Sequence, residues 1–158
     1  MSIKSFRDLD VWKAAVDLAT RTYRETRAFP SDERFGLTSQ MRRAATSVAA
    51  NIAEGHARNG TREFLHFVSI ALGSLAELET ECEIAMRCGL FETEAATELL
   101  KTAGQVRVLL LSLRMALARR AHGIQQDPPG YDAAGVCEGA GPLPLDPCPA
   151  PEFEARAG

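Results

Sequence analysis

The chain has 158 residues, 46% of them hydrophobic, and a formal net charge of −3, so it is long enough for one core and too apolar for a disordered polymer. Its longest apolar run, VLLLSL at 108–113, is too short to span a bilayer, and the opening MSIKSFRDLDVW has no apolar signal core, so a cytoplasmic protein outside the membrane is expected. The cysteines at 82, 88, 137 and 148 form no C-x-x-C pair, which argues against a zinc site and for reduced thiols, with Cys82 in the core.

The first helix is expected from Leu9 to Ala28, with Trp12, Val16, Ala19 and Tyr23 on one stripe at helical spacing. FPSDERFGL interrupts it, because Pro30 and Gly36 both punctuate helices. A second helix follows Thr38 as N-cap and continues to Ala57. RNGT turns the chain, and Thr61 caps a third helix reaching Arg87. CGLFET ends that helix, and Thr93 caps a fourth that extends to Ala121. Sustained period-two alternation is absent, so the fold class is all-α, and the short connections favour an up-down antiparallel four-helix bundle over residues 1–123. Residues 124–158 hold seven of the eight prolines and show no helical period, the pattern of a disordered acidic tail. Its scattered Leu143, Leu145 and Phe153 leave a short binding motif as the alternative.

Charge is laid down in blocks. Residues 1–33 balance, 34–62 set five arginines against Glu54, 63–98 set Arg87 against eight glutamates, and 99–124 carry five bases and no acid. The remainder carries six acids and Arg156. Such alternation serves self-association or an anionic partner.

Two helices are apolar on more than one side. On the fourth, Leu99, Ala103, Val106, Leu110, Leu113 and Leu117 form one stripe, while Leu100, Gly104, Val108, Leu111 and Met115 form another. On the third, Phe64, Val68, Ala71, Leu75, Leu78 and Cys82 form the core stripe, with Ile70, Gly73 and Ile84 nearly opposite. Leaving Val108, Leu111 and Met115 in water would forgo about 1.5–3 kcal/mol each. A broad core face is one reading; a homo-oligomer interface through Val108, Leu111, Met115, Ile70 and Ile84 is the preferred one.

The stretch QMRRAATSVAANIAEGHAR, residues 40–58, collects Met41, Ala45, Val48, Ala49 and Ile52 on one side of a helix. A narrow polar ridge of Gln40, Arg43, Ser47, Asn51, Glu54 and Arg58 faces the other way. Three readings stay open for it. It is a solvated surface with Glu54 pairing Arg58; or Arg43 and Arg58 pair across subunits with Glu77, Glu79, Glu81 or Glu83; or the arginines grip phosphates. For the last, Arg42, Arg43, Arg58 and Arg62 are the candidate nucleic-acid contacts, joined by Arg107, Arg114, Arg119 and Arg120. Aromatics do not interleave with these bases along the chain, so electrostatic contact rather than base stacking is implied.

No catalytic constellation is expected. Glu63 and His66 have the i,i+3 spacing of di-iron bundles, but such sites need two such motifs, and first-turn acids commonly complement the helix dipole. His56 and His122 lack sequence partners, and no nucleotide-binding glycine motif occurs, so neither metal nor cofactor nor enzymatic activity is expected.

FRDLDVWKAAVDLATRTY, FPSDERFGLTSQMRRAATSVAANIAEGHAR and EFLHFVSIALGSLAELETECEIA resemble, in that order, the 23S rRNA intervening-sequence proteins, and the match runs over residues 5–120. The resemblance implies an up-down four-helix bundle assembling as a ring-like homopentamer. It also implies a bacterial protein similar in fold to the accessory variability proteins of diversity-generating retroelements, which are basic pentamers that bind nucleic acid. Arg42, Arg43, Asn51, Glu54 and Gly55 fit the family pattern, whereas the acidic tail departs from it. The expected function is a non-enzymatic accessory RNA-binding protein; the alternative is an interaction scaffold whose charges serve only its own subunit contacts.

Overall fold

The computed structural model describes residues 5–58 and 60–123; the tail expected over 124–158, with Cys137 and Cys148, lies outside the described residues. Four helices carry the fold: α1 (Asp10–Glu25), α2 (Leu37–Ala57), α3 (Thr61–Arg87) and α4 (Thr93–Ala121). No strand occurs among the described residues, so the chain is all-α. Three short 3-10 turns, Phe6–Asp8, Thr26–Ala28 and Ser31–Arg34, complete it.

Local chemistry sets the ends. Ser5 Oγ accepts from the Arg7 N–H at 3.2 Å while Asp8 Oδ2 accepts from the Ser5 N–H at 3.0 Å, closing the first turn. Glu33 reaches forward so that its Oε2 accepts from the Leu37 N–H at 3.0 Å, capping α2 from the preceding turn. α3 ends where Gly89 turns left-handed (φ 71°), and the N–H groups of Leu90 and Gly89 bond the carbonyls of Ala85 and Met86. That is a Schellman closure, in which glycine avoids the Cβ clash.

The threonine caps expected at three helix starts are corrected. α2, α3 and α4 have Gly36, Gly60 and Glu92 at N-cap, none with a side-chain cap bond. Thr38 lies inside α2, buried, with no hydrogen-bond partner for its hydroxyl, because the Glu33 carboxylate has taken the capping role.

Neighbouring helices touch in the cycle α1–α2, α2–α3, α3–α4 and α4–α1, with α2–α3 the most extensive pair. Ser47 meets Ser74 while Gly55, further along α2, meets Phe64 and Phe67, so α2 and α3 run in opposite directions. Cys82 lies against Ala96 and Glu79 against Arg107, so α3 and α4 also run oppositely. Leu18, Met41, Val48, Ile52, Leu75, Leu78, Leu99 and Leu110 fill the centre.

The expected core stripes of α2, α3 and α4 hold in outline, but that of α1 is rotated. Val11, Ala15, Leu18, Ala19 and Thr22 face inward, so Ala19 of the expected stripe is in the core, whereas Trp12 and Val16 are half-buried and Tyr23 is exposed. The cause is polar residues in the core. The hydroxyls of Thr22 and Thr26 donate to the carbonyls of Leu18 and Thr22 at 2.9 and 2.7 Å, so both threonines are buried with their hydroxyls satisfied.

Candidate functional site

Two surfaces stand out: an apolar one on α3–α4 and a basic one at one end of the body. On α4, Val108 is 63% and Met115 56% exposed; on α3, Ile70 and Ile84 are exposed as well. Leu111, expected beside them, is half-buried, as are Leu100 and Gly104. A cavity of about 500 Å³ lies along the outer side of α3, bordered by Ala76, Thr80 and Ile84.

The polar ridge of α2 divides by role. Ser47 and the buried Ser74 share a hydrogen bond at 2.8 Å, and Asn51 Nδ2 donates to the Ser47 carbonyl and hydroxyl at 2.8 and 3.0 Å. Ser47 therefore belongs to the α2–α3 contact, and Asn51 holds it from within α2. Gln40 Oε1 accepts from Arg43 at 3.3 Å, and Glu54 pairs with Arg58 at 2.7 Å, both on the surface. That bond, with the neighbouring negative charge, raises the Arg58 pKa above its already high ordinary value. Glu81 behaves oppositely: burial, then the nearby Glu77, push its carboxyl up, while Arg43 holds it down. Its Oε2 is buried without a hydrogen-bond partner.

The four candidate arginines do not form one cluster. Arg42 Nε donates to the buried Thr26 hydroxyl at 2.8 Å, and its guanidinium lies 5.0 Å from the Tyr23 ring centroid. Arg43 lies on the same end of α2. Arg58 is 16 residues beyond Arg42, about 24 Å at the helical rise, and stacks over Phe67 at 5.4 Å. Arg62 opens α3 beside it. Because α4 runs opposite to α3, its last turns bring Arg114, Arg119 and Arg120 to that same end. Arg62, Arg114, Arg119 and Arg120 are exposed and have no acidic partner among the described residues. Arg107, the other α4 candidate, is engaged with Glu79 of its own chain, and Glu83 with Arg87.

The arginine–aromatic pairs were not legible along the chain, since Tyr23 and Arg42 come from α1 and α2, and Phe67 and Arg58 from α3 and α2. Phe35, 88% exposed under Arg34, was also missed; an apolar side chain just before a helix gives no periodic signal. Glu63 and His66 are both exposed, and among the described residues no three His, Cys, Asp or Glu side chains converge as a metal site would require. Cys82 is buried and its thiol is pushed up to about 11, first by burial and then by Glu83; Cys88 is exposed. No helix among the described residues is long and apolar enough to cross a membrane.

Helix count, core and surface together define an all-α, four-helix protein with an apolar flank and an arginine-rich end. The chain belongs to the 23S rRNA-intervening sequence protein family, whose model matches residues 7–112. Among solved structures it resembles a protein of unknown function from the S23 ribosomal protein family of Bacteroides thetaiotaomicron. The two share 23% identity with a TM-score of 0.60, over 66% of this chain and 97% of that one, a likeness of fold. No curated protein matches the chain.

Proposed function

We propose that the protein is a non-enzymatic, cytoplasmic RNA-binding accessory protein, an up-down four-helix subunit that assembles as a ring-like homo-oligomer, a pentamer by family resemblance. The observation that carries the RNA reading is the end of the body where Arg62, Arg114, Arg119 and Arg120 stand exposed without acidic partners among the described residues. Guanidinium groups free of internal salt bridges lose no partner on meeting phosphate, and each can grip it with two hydrogen bonds. Membership of a family named for insertions in 23S rRNA supports RNA as the polyanion. Of the initial candidates, Arg58 and Arg62 lie at this end, whereas Arg42 and Arg43 form a separate site at the far end of α2.

The test is a titration of the full chain against a structured ribosomal RNA hairpin at several salt concentrations, with oligomer mass recorded alongside. Phosphate contacts make log K fall linearly with log salt, each contributing a slope of about 0.7–0.9. R119E/R120E is expected to weaken binding and flatten the slope by one or more such contacts, with the oligomer intact. An intact oligomer with no affinity at low salt refutes the RNA reading and leaves the scaffold.

A further inference from the structure

The arginine-rich end carries rings as well as charge. α1 and α2 run in opposite directions, since Arg42 near the start of α2 donates to Thr26 just beyond the end of α1. The turn Phe6–Asp8, which precedes α1 and contacts α2, therefore lies beside the last part of α2. Two arginine–ring pairs meet at that end. The Arg58 guanidinium stands 5.4 Å from the Phe67 ring centroid, and the Arg7 guanidinium 4.7 Å from that of Phe6. Each phenylalanine is steadied by an edge-on neighbour, His66 at 5.8 Å from Phe67 and Trp12 at 5.1 Å from Phe6. Aromatics that do not interleave with the bases along the chain are thus interleaved with them in space. Two further pairs, Arg34 over Phe35 and Arg42 over Tyr23, lie at the opposite end.

Arg58 uses its charge differently from Arg62, Arg114, Arg119 and Arg120. Its Nη2 donates to Glu54 Oε1 at 2.7 Å, and Glu63 adds negative charge nearby, so a phosphate gains less at Arg58 than at those four. The same bond holds the guanidinium plane over Phe67, yet the Arg58 side chain stays 51% exposed. Arg7 is exposed as well. A planar cation with one face on a ring and much of its surface open to water is a platform for another flat ring.

We propose that Arg58 and Arg7, each backed by its phenylalanine, are stacking platforms for unpaired nucleobases, so that this end takes single-stranded loops or ends of RNA in preference to duplex; this rests on the RNA reading above. In a duplex the base faces are covered by their neighbours, and an A-form helix offers a protein chiefly phosphates and 2′-hydroxyls. Unpaired bases splay out and stack on aromatic rings and guanidinium planes. Arg62, exposed one turn before His66 on α3, sets a phosphate contact beside the Phe67 platform. The phosphate contacts then supply most of the affinity, and the platforms supply the choice of strand.

The experiment titrates the full chain with two RNA strands of equal length, one an adenine run and the other abasic, so that phosphates match and only base faces differ. The unaltered protein is expected to bind the adenine strand about 5–100-fold more tightly, the increment one stacked base provides. That preference should persist as salt rises, because stacking releases no counterions. R7K/R58K keeps both positive charges but removes both planes, at exposed positions, and its preference should fall toward unity with helicity by circular dichroism unchanged. Equal affinity of the unaltered protein for the two strands overturns the platforms and leaves the phosphate reading standing. So does a protein that binds the ribosomal hairpin but neither strand. A preference that R7K/R58K keeps in full overturns the assignment to these two arginines. No affinity for the strands or the hairpin at low salt overturns the RNA reading and the platforms together.

Discussion

Gly55 lies at a close approach in the most extensive helix pair, α2–α3, and replacing it with alanine sets two known effects against each other. A Cβ there would stand 2.7 Å from Phe64 Cδ2 and 2.7 Å from Phe67 Cβ. Carbon atoms sit comfortably at about 3.5–4.0 Å, so roughly 1 Å must be opened. The Phe64 ring can swing aside, but the Phe67 Cβ is fixed by its backbone, so α3 itself must retreat from α2. Overpacking of this kind costs about 1–3 kcal/mol. Alanine returns up to about 1 kcal/mol of helix propensity. The expected net loss is about 1–2 kcal/mol, a fall in Tm of roughly 3–8 °C for a body of this size. Gly104 is the control, since it lies within α4 with nothing within 4 Å of its Cβ position, and Gly104→Ala should raise Tm. Thermal unfolding by circular dichroism at one fixed protein concentration reads both, because assembly makes Tm depend on concentration. A Gly55→Ala protein that gains as much as Gly104→Ala would refute the close approach of α2 and α3.

Ser47 and Ser74 should show strong coupling. Ser47→Ala alone strands the buried Ser74 hydroxyl at a cost of about 1–3 kcal/mol, whereas the double alanine variant should lie closer to the unaltered protein than the single effects sum to; additive losses in chemical denaturation would contradict this. For Glu81, burial and Glu77 raise the folded-state pKa, so the protonated carboxyl suits the fold and that contribution is lost as pH rises through the raised value. Glu81→Gln is therefore expected to raise Tm at pH 7, the advantage shrinking as pH falls through the raised value toward the ordinary glutamate range; a difference that does not vary with pH would count against it.

Much of the fold was legible because α2, α3 and α4 carry their cores as plain aliphatic periodicity, with Val48, Leu75 and Leu110 falling where a 3.6-residue count puts them. α1 was misread toward its end, where Thr22 within the helix and Thr26 just beyond it turn inward. A hydropathy count gives Thr22 and Thr26 to solvent, but their hydroxyls bond carbonyls one turn back and so enter the core at little cost. Ser74 is a similar case, a buried polar group whose partner, Ser47, is 27 residues away in sequence. The site was less legible than the fold for one reason: its groups converge from different helices. Charge blocks announced that arginines cluster, but only the opposite runs of α3 and α4 decide that Arg62 shares an end with Arg119 and Arg120 while Arg42 does not.

Assembly and RNA binding then become one problem. In the proposed ring-like homo-oligomer, with the helices along its axis, every copy would turn the same end toward the same rim. Arg62, Arg114, Arg119 and Arg120 of each copy, without acidic partners among the described residues, would thus form a continuous basic circle. On the proposed function, one copy would engage few phosphates and bind weakly at physiological salt, since such affinity is almost wholly electrostatic. A ring presents several such ends at once, and each phosphate contact after the first is made at high effective concentration. A V108S/M115S variant leaves all four arginines in place and adds no charge beside them, so it separates the two ideas. Its affinity for the RNA hairpin should fall by about 10²-fold or more, the gain multivalency typically provides, with a shallower salt slope. A monomeric variant that binds as tightly and as steeply as the ring would mean that one end suffices and that the rim plays no part.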